Sequence, residues 1–285
     1  MKKIEKVLVA SDLGENSKNL IERGLLLGKN VKTKVYHVVA QNLFSKLKAT
    51  LGLESEQELV RLTNDKLKDF VSTLGTEKEI ESEVLFGHIP EEIAAKAKDY
   101  DLLLLGASKS GLKKDLYLGT NAQVILHQAK KPVLTVRQKC EGSYKNILVA
   151  VDYTELSLRS LKICKELFPE ANISVINVFE HPAKTMMIYA GVSLDAIKEY
   201  EDKAKVDSQL SMAQLLDEAG LEISEKNIFF KSGHPVMQIL DTIKDFNFDL
   251  VVLGKHSKSF TENHLLGTTT LKTLNSVEID SLVVR

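Results

Sequence analysis

The chain repeats itself. Val7-Leu8-Val9-Ala10-Ser11-Asp12 returns as Ile147-Leu148-Val149-Ala150-Val151-Asp152, an offset of 147 − 7 = 140 residues. Asp101-Leu102-Leu103-Leu104-Leu105-Gly106 returns as Asp249-Leu250-Val251-Val252-Leu253-Gly254, and Leu118-Gly119-Thr120 as Leu266-Gly267-Thr268, both at 249 − 101 = 148. A period near half of a 285-residue chain means two copies of one domain rather than a solenoid. Any site should therefore exist twice, and one copy can have decayed. The expected domains are residues 1–139 and 143–285, joined across Arg137 to Tyr144, with Gly142-Ser143 as the softest point.

Each half alternates strand and helix patterns. Val7 to Ala10 is too continuously apolar for a half-exposed strand, and it suits a parallel strand covered on both faces. Further strands are expected at Val35–Val39, Ile80–Phe86, Leu102–Leu105 and Val133–Val136. Leu20, Ile21, Leu25 and Leu27 mark a first helix, which Gly28 can end. Helical spacing also runs through Leu59, Leu62, Leu67, Phe70, Val71 and Leu74, and Pro90-Glu91-Glu92 and Thr120 begin two more helices. The second half repeats the order, with strands at Ile147–Val151, Ile173–Phe179, Lys226–Lys231, Asp249–Leu253 and Leu282–Arg285, and a long helix over Leu194–Ala219. The fold class is α/β: two tandem, doubly wound domains, each a five-stranded, mainly parallel sheet with helices on both faces.

Composition removes several functions. Lys and Arg number 38 against 39 Asp and Glu, so no basic excess exists to release counterions from a nucleic acid. No apolar run approaches the 18 or so residues of a membrane span. The N-terminus reads directly into a strand, which argues against a signal peptide. Two cysteines, Cys140 and Cys164, fit free thiols in a reducing compartment, and a cytoplasmic location is expected.

In such sheets ligands bind beyond the carboxyl ends of the strands, where strand order reverses. Three features of each half converge there: the acid after strand one (Asp12, Asp152), the glycine ending strand four (Gly106, Gly254), and a Gly-Thr pair at the next helix start (Gly119-Thr120, Gly267-Thr268). The intervening loop holds 12 residues in both halves although its sequence differs. A helix start after glycine offers free amides and partial positive charge to a phosphate. The same residues also serve as a tight turn with an N-cap.

These residues resemble the universal stress protein family, in a tandem form covering nearly the whole chain. The strand-one aspartate, the Gly-His turns at Gly87 to Pro90 and Gly233 to Pro235, and the loop after strand four carry the likeness. The fold so implied is Rossmann-like. The ATP-binding branch of the family has Gly-x2-Gly-x9-Gly-(Ser/Thr); its aspartate and a strand-two valine serve the adenosine half, and its loop holds the phosphates. The resemblance implies ATP or a related adenine nucleotide, with or without Mg2+, as cofactor. By it the site residues are Asp12, Val38, Gly106, Gly119 and Thr120 in the first half and Asp152, Val178, Gly254, Gly267 and Thr268 in the second. The motif's second glycine is replaced by Lys109 and Ser257. A Cβ there costs about 1–2 kcal/mol if the backbone is left-handed. Lys109 can instead bring an ammonium to the phosphates. His256 is a further pocket candidate. The smaller Ser257 favours the second domain as the competent one.

His37 and His88 read as structural, and His234, His256 and His264 lack the paired spacing of a zinc site. Met186-Met187-Ile188-Tyr189 reads as a loop packed on its own domain, or as an adaptable pocket wall. No nucleophile–base arrangement supports catalysis, so at most weak ATPase activity is expected. The family resemblance implies that the final strands, Val133–Val136 and Leu282–Val284, pair the two domains, and a homodimer is a further expectation. The leading reading is a stress-response regulator that binds nucleotide. The alternatives are an interaction scaffold with degenerate sites and, last, an adenylating or ATP-hydrolysing enzyme.

Overall fold

The computed structural model describes residues 3–14, 16–28, 31–76, 78, 80–107, 118–179, 182–255 and 266–285. The chain divides into two compact units, Met1–Ser143 and Tyr144–Arg285.

In the first unit the order is β1 (Lys6–Ala10), α1 (Ser17–Leu25), β2 (Lys32–Ala40), α2 (Gln41–Leu51), α3 (Glu56–Ser72), β3 (Glu81–Gly87), α4 (Ile89–Lys96), β4 (Leu102–Gly106), α5 (Thr120–Gln128) and β5 (Val133–Val136). The strands lie in the order β3-β2-β1-β4-β5, all parallel. Ala10 is opposite Tyr36 on one side and Leu105 on the other. The chain therefore winds outward from β1 in both directions, and the reversal point lies between β1 and β4. Right-handed crossovers place the helices of the two arms on opposite faces. Val7, Leu8, Val9, Leu102, Leu103 and Leu104 are completely buried, which accounts for their unbroken apolar runs.

The second unit repeats this with β6 (Asn146–Ala150), α6 (Glu155–Leu167), β7 (Asn172–Phe179), α7 (Pro182–Tyr189), α8 (Leu194–Ala219), β8 (Ile228–Ser232), α9 (Pro235–Phe246), β9 (Leu250–Gly254), α10 (Thr268–Ser276) and β10 (Asp280–Val284). Its parallel order is β10-β9-β6-β7-β8.

Helix boundaries follow local chemistry. Ser55 caps α3 by accepting from the Glu58 amide, while Glu58 accepts from the Glu54 amide, so each satisfies a donor at the helix entry. Ser193 caps α8 by accepting from the Ala196 amide, and Gly220 ends it in left-handed conformation at φ 63°. Pro90 and Pro235 occupy the first turns of α4 and α9, where no amide donor is needed.

The repeated Asp101 and Asp249 do not belong to the ligand end of the sheet. Asp101 Oδ2 accepts from the amides of Glu5 and Lys6, both at 3.1 Å. Asp249 accepts from Lys145 at 2.7 Å and Asn146 at 3.1 Å. In each unit this carboxylate ties the start of the fourth strand to the start of the first.

Three expectations need correction. Met186 to Tyr189 form the end of helix α7, and Met186 and Tyr189 are 73% and 86% exposed rather than packed down. The eighth strand starts at Ile228, because Glu225–Asn227 make a turn of 3-10 helix. The final strand also ends earlier and starts earlier than its apolar run indicates, at Asp280–Val284.

Candidate nucleotide site

At the reversal point of the first unit lies a cleft of about 790 Å³. Its floor is the carboxyl ends of β1, β2 and β4, and its rim is formed by α1, α4 and α5. Asp12, Val38, Gly106, Gly119 and Thr120 all line it. Five residues drawn from four separate stretches of sequence are thus brought to one crevice. The volume falls within the range of about 300–1,000 Å³ common for small-molecule sites.

Asp12 is held in a turn that follows β1. Its Oδ1 accepts from the Gly14 amide at 2.9 Å and the Ser17 hydroxyl at 3.1 Å. Ser17 in turn accepts from Ser11 Oγ at 2.8 Å. These bonds converge on Oδ1, and none from a described residue is made to Oδ2. Leu13 is left-handed at φ 58°, and this unusual conformation swings the chain away after the aspartate.

Opposite Asp12, α5 begins at the cleft. Gly119 is the N-cap, at φ −58° and ψ 156°, and Thr120 is the first helical residue. Thr120, Asn121 and Ala122 line the cleft, and first-turn amides have no carbonyl within the helix to bond. Among the described residues, a Cβ added at Gly106 would meet only Leu20 Cδ2, at 3.7 Å, so their packing leaves room there. Lys109 lies outside the described residues.

Asn16, Leu43, Ile89 and Ile93 are among the lining residues that the sequence did not single out as ligand contacts. Ile89 and Ile93 sit one helical turn apart on α4, a spacing visible in the sequence but indistinguishable there from core packing. His37, read as structural, both lines the cleft and places Nδ1 2.8 Å from the Ser11 carbonyl oxygen.

In the second unit, Asp152 repeats the first arrangement more tightly. Its Oδ1 accepts from Thr154 Oγ1 at 2.6 Å, Ser157 Oγ at 2.7 Å and the Thr154 amide at 3.3 Å. Gly267 caps α10 at φ −58° and ψ 145°, nearly the backbone of Gly119. Its amide, however, donates to the Lys255 carbonyl oxygen at 2.8 Å, whereas the corresponding Gly119 amide makes no such bond to Ala107. Thr270 Oγ1 also closes onto the Gly254 carbonyl oxygen at 2.6 Å. Thr268 is the first residue of α10, and Val178 lies on β7 between Asn177 and Phe179. His256 and Ser257 lie outside the described residues, as does His264.

The sequence profile of the universal stress protein family matches residues 3–137 and again 143–285. The chain belongs to that family. This universal stress protein is 25% identical over 146 residues to universal stress protein C of Escherichia coli O157:H7, a match covering 50% of this chain and 96% of that one. It is 30% identical over 149 residues to universal stress protein A homolog 2 of Coxiella burnetii, again covering 50% and 96%. Each of these relatives is thus the size of one half. Among solved structures, a functionally unknown protein from Pseudomonas aeruginosa PAO1 shares the fold with TM-score 0.68 at 16% identity, covering 99% of this chain and 92% of its own. A universal stress protein from Archaeoglobus fulgidus does so with TM-score 0.64 at 19% identity, covering 99% and 97%. No helix among the described residues of this universal stress protein is long and apolar enough to cross a membrane.

Proposed function

We propose that this universal stress protein binds an adenine nucleotide, ATP foremost, in the cleft of its first domain, and that occupancy of the cleft is the signal it contributes to a stress response. The observation that supports this is the convergence of Asp12, Val38, Gly106, Gly119 and Thr120 on one cleft at the strand-order reversal. Asp12 Oδ2 is suited to accept from ribose hydroxyls. The open start of α5 is suited to phosphate oxygens, since unpaired amides and the helix dipole both favour an anion. Asp12 is the only carboxylate among the described lining residues, and its Oδ1 is already engaged. That arrangement fits holding a ligand better than activating water, so binding rather than rapid hydrolysis is the proposed role.

The first domain is favoured over the second, against the reading based on Ser257. The Gly267 amide and the Gly254 carbonyl oxygen are both satisfied within the protein. Isothermal titration calorimetry with ATP tests the proposal. Saturable heat that is lost in Asp12→Ala supports it, and no heat at millimolar ATP rejects it.

A further inference from the structure

The two units differ at one position that decides whether strand two can address a ligand. His37 and Asn177 occupy equivalent places, one residue after the pairs Ala10–Tyr36 and Ala150–Ile176. Both do the same structural work. His37 Nδ1 lies 2.8 Å from the Ser11 carbonyl oxygen, and Asn177 Nδ2 donates to the Val151 carbonyl oxygen at 2.8 Å. Each thereby fixes the chain where it leaves the first strand, just before the aspartate.

The remaining polar atom has opposite fates. A carbonyl oxygen can only accept, so His37 Nδ1 carries the hydrogen, and in the neutral ring Nε2 is an acceptor. The ring lines the cleft, and no residue among those described bonds Nε2. In the second unit the spare atom is Asn177 Oδ1, and it is taken. Ser208 Oγ on α8 donates to it at 3.0 Å. Tyr153 then closes the chain, its hydroxyl lying 2.6 Å from Ser208 Oγ and 2.9 Å from the Ser208 carbonyl oxygen. Asn177 and Ser208 are each only 6% exposed. Among the described residues the first unit has no such closure, and Leu13 stands where Tyr153 does.

We infer that His37 is a ligand-contacting residue, its Nε2 accepting a hydrogen bond from an amine or hydroxyl of the adenosine half, and that the second domain has converted the same position into an internal strut. This rests on the nucleotide reading of the first-domain cleft. It assigns His37 a role beyond the strut that its sequence position indicates, and it limits the chain to one nucleotide.

His37→Asn is the informative variant, because Asn177 shows that asparagine keeps the bond to the strand-one carbonyl. It replaces the ring by a shorter amide, whose spare acceptor Oδ1 stands near the place of the ring carbon Cδ2 and so falls short of the Nε2 position in the cleft. Calorimetric titrations of wild type and His37→Asn use ATP, inosine triphosphate, and the 2′-deoxy and 3′-deoxy forms of ATP. The expected results are one ATP per wild-type chain and about two- to tenfold weaker ATP binding by the variant, the value of one neutral hydrogen bond. One analogue, lacking the donor that His37 receives, should bind the wild type more weakly and show no further loss in the variant; which analogue does so separates the amine from the hydroxyls. Equal affinity of wild type and variant for ATP would overturn the contact. Two equivalent ATP sites per chain would overturn the closure of the second domain. A wild type that binds none of the four ligands would instead remove the nucleotide reading, and this inference with it.

Discussion

Leu13 and Tyr153 share a left-handed backbone, φ 58° and 62°, at the residue following the strand-one aspartate of each domain. Apart from Asn247, they are the only non-glycine residues with positive φ among those described. Retention of the same strained conformation in both copies means that the turn, not the side chain, is what each copy requires. The side chains have diverged: Tyr153 reaches Ser208, and burial pushes its hydroxyl pKa up to about 12, so it stays a neutral donor.

This relationship predicts unequal responses to one substitution. Leu13→Gly relieves a conformational cost of about 1–2 kcal/mol, offset by a glycine entropy cost of about 0.5–1 kcal/mol, so stability should hold or rise slightly. Tyr153→Gly gains the same relief but loses the phenol and its bonds, and should lower stability by about 2 kcal/mol. Urea unfolding of both variants checks this. Equal responses would mean that the Tyr153–Ser208 contact holds nothing.

Asp101 and Asp249 should matter to stability and not to ligand affinity. Each accepts two backbone amides at the opposite end of the sheet from the cleft. Asp249→Ala should cost about 1–3 kcal/mol, and Asp101→Ala a similar amount, with ATP affinity of the folded protein unchanged. A parallel measurement of melting temperature and ATP affinity separates the two properties.

Two glycines of the first domain should also part company. A Cβ on Gly24 would lie 3.0 Å from Val9 Cγ2 and 3.5 Å from Leu104 Cδ2, so α1 packs on the sheet only because that position is bare. Gly24→Ala should destabilise by about 1–3 kcal/mol, the cost of overpacking. At Gly106 the new methyl meets Leu20 at an ordinary 3.7 Å. Gly106→Ala should fold as the wild type does, so any fall in its ATP affinity reports the ligand and not the scaffold.

Most of the fold was legible because parallel strands covered on both faces leave unbroken apolar runs, as at Val7–Ala10 and Leu102–Leu105. The repeat supplied the domain count, and the reversal rule located the cleft. What the sequence could not separate was purpose within the repeat. Asp12 and Asp101 are equally repeated acids beside apolar strands, yet one lines the cleft and the other ties strand starts together. Likewise His37 reads as a core histidine because its Nδ1 partner is a backbone carbonyl that no residue pattern reveals. The α7 helix was missed because Met186 to Tyr189 are largely exposed and show no apolar periodicity.

Cys164 offers a chemical check on the second core. It is completely buried in α6, and burial raises its thiol pKa far above the ordinary 9.0, which suppresses the reactive thiolate. Cys140 is partly accessible. Titration with a thiol reagent should modify Cys140 in the native protein and Cys164 only on unfolding. Two thiols reacting at the same native rate would contradict the packing of α6.

The last prediction concerns acid and base limits of the first domain. Glu83 on β3 is bonded by Lys34 Nζ at 2.6 Å and Lys96 Nζ at 2.8 Å. Burial pushes its pKa up, but the hydrogen bonds and charges of the two lysines outweigh this and hold it below the ordinary 4.5. Lys34 is raised above 10.5, first by its hydrogen bond to Glu83 and against the opposing effect of burial. A lowered carboxylate stabilises the fold above its unfolded pKa and loses that contribution as pH falls through the folded value. A raised lysine stabilises below its unfolded pKa and loses its share as pH rises through the folded value. Glu83→Gln should therefore lower the urea midpoint by a constant amount between about pH 5 and 10. The gap from wild type should begin to narrow as pH falls past 4.5 and close as it passes through the lowered folded value of Glu83, and should narrow likewise as pH rises past 10.5 and through the raised folded value of Lys34. A gap that persists undiminished at pH 3 would show that Glu83 acts through packing, and that the two lysines gain nothing from its charge.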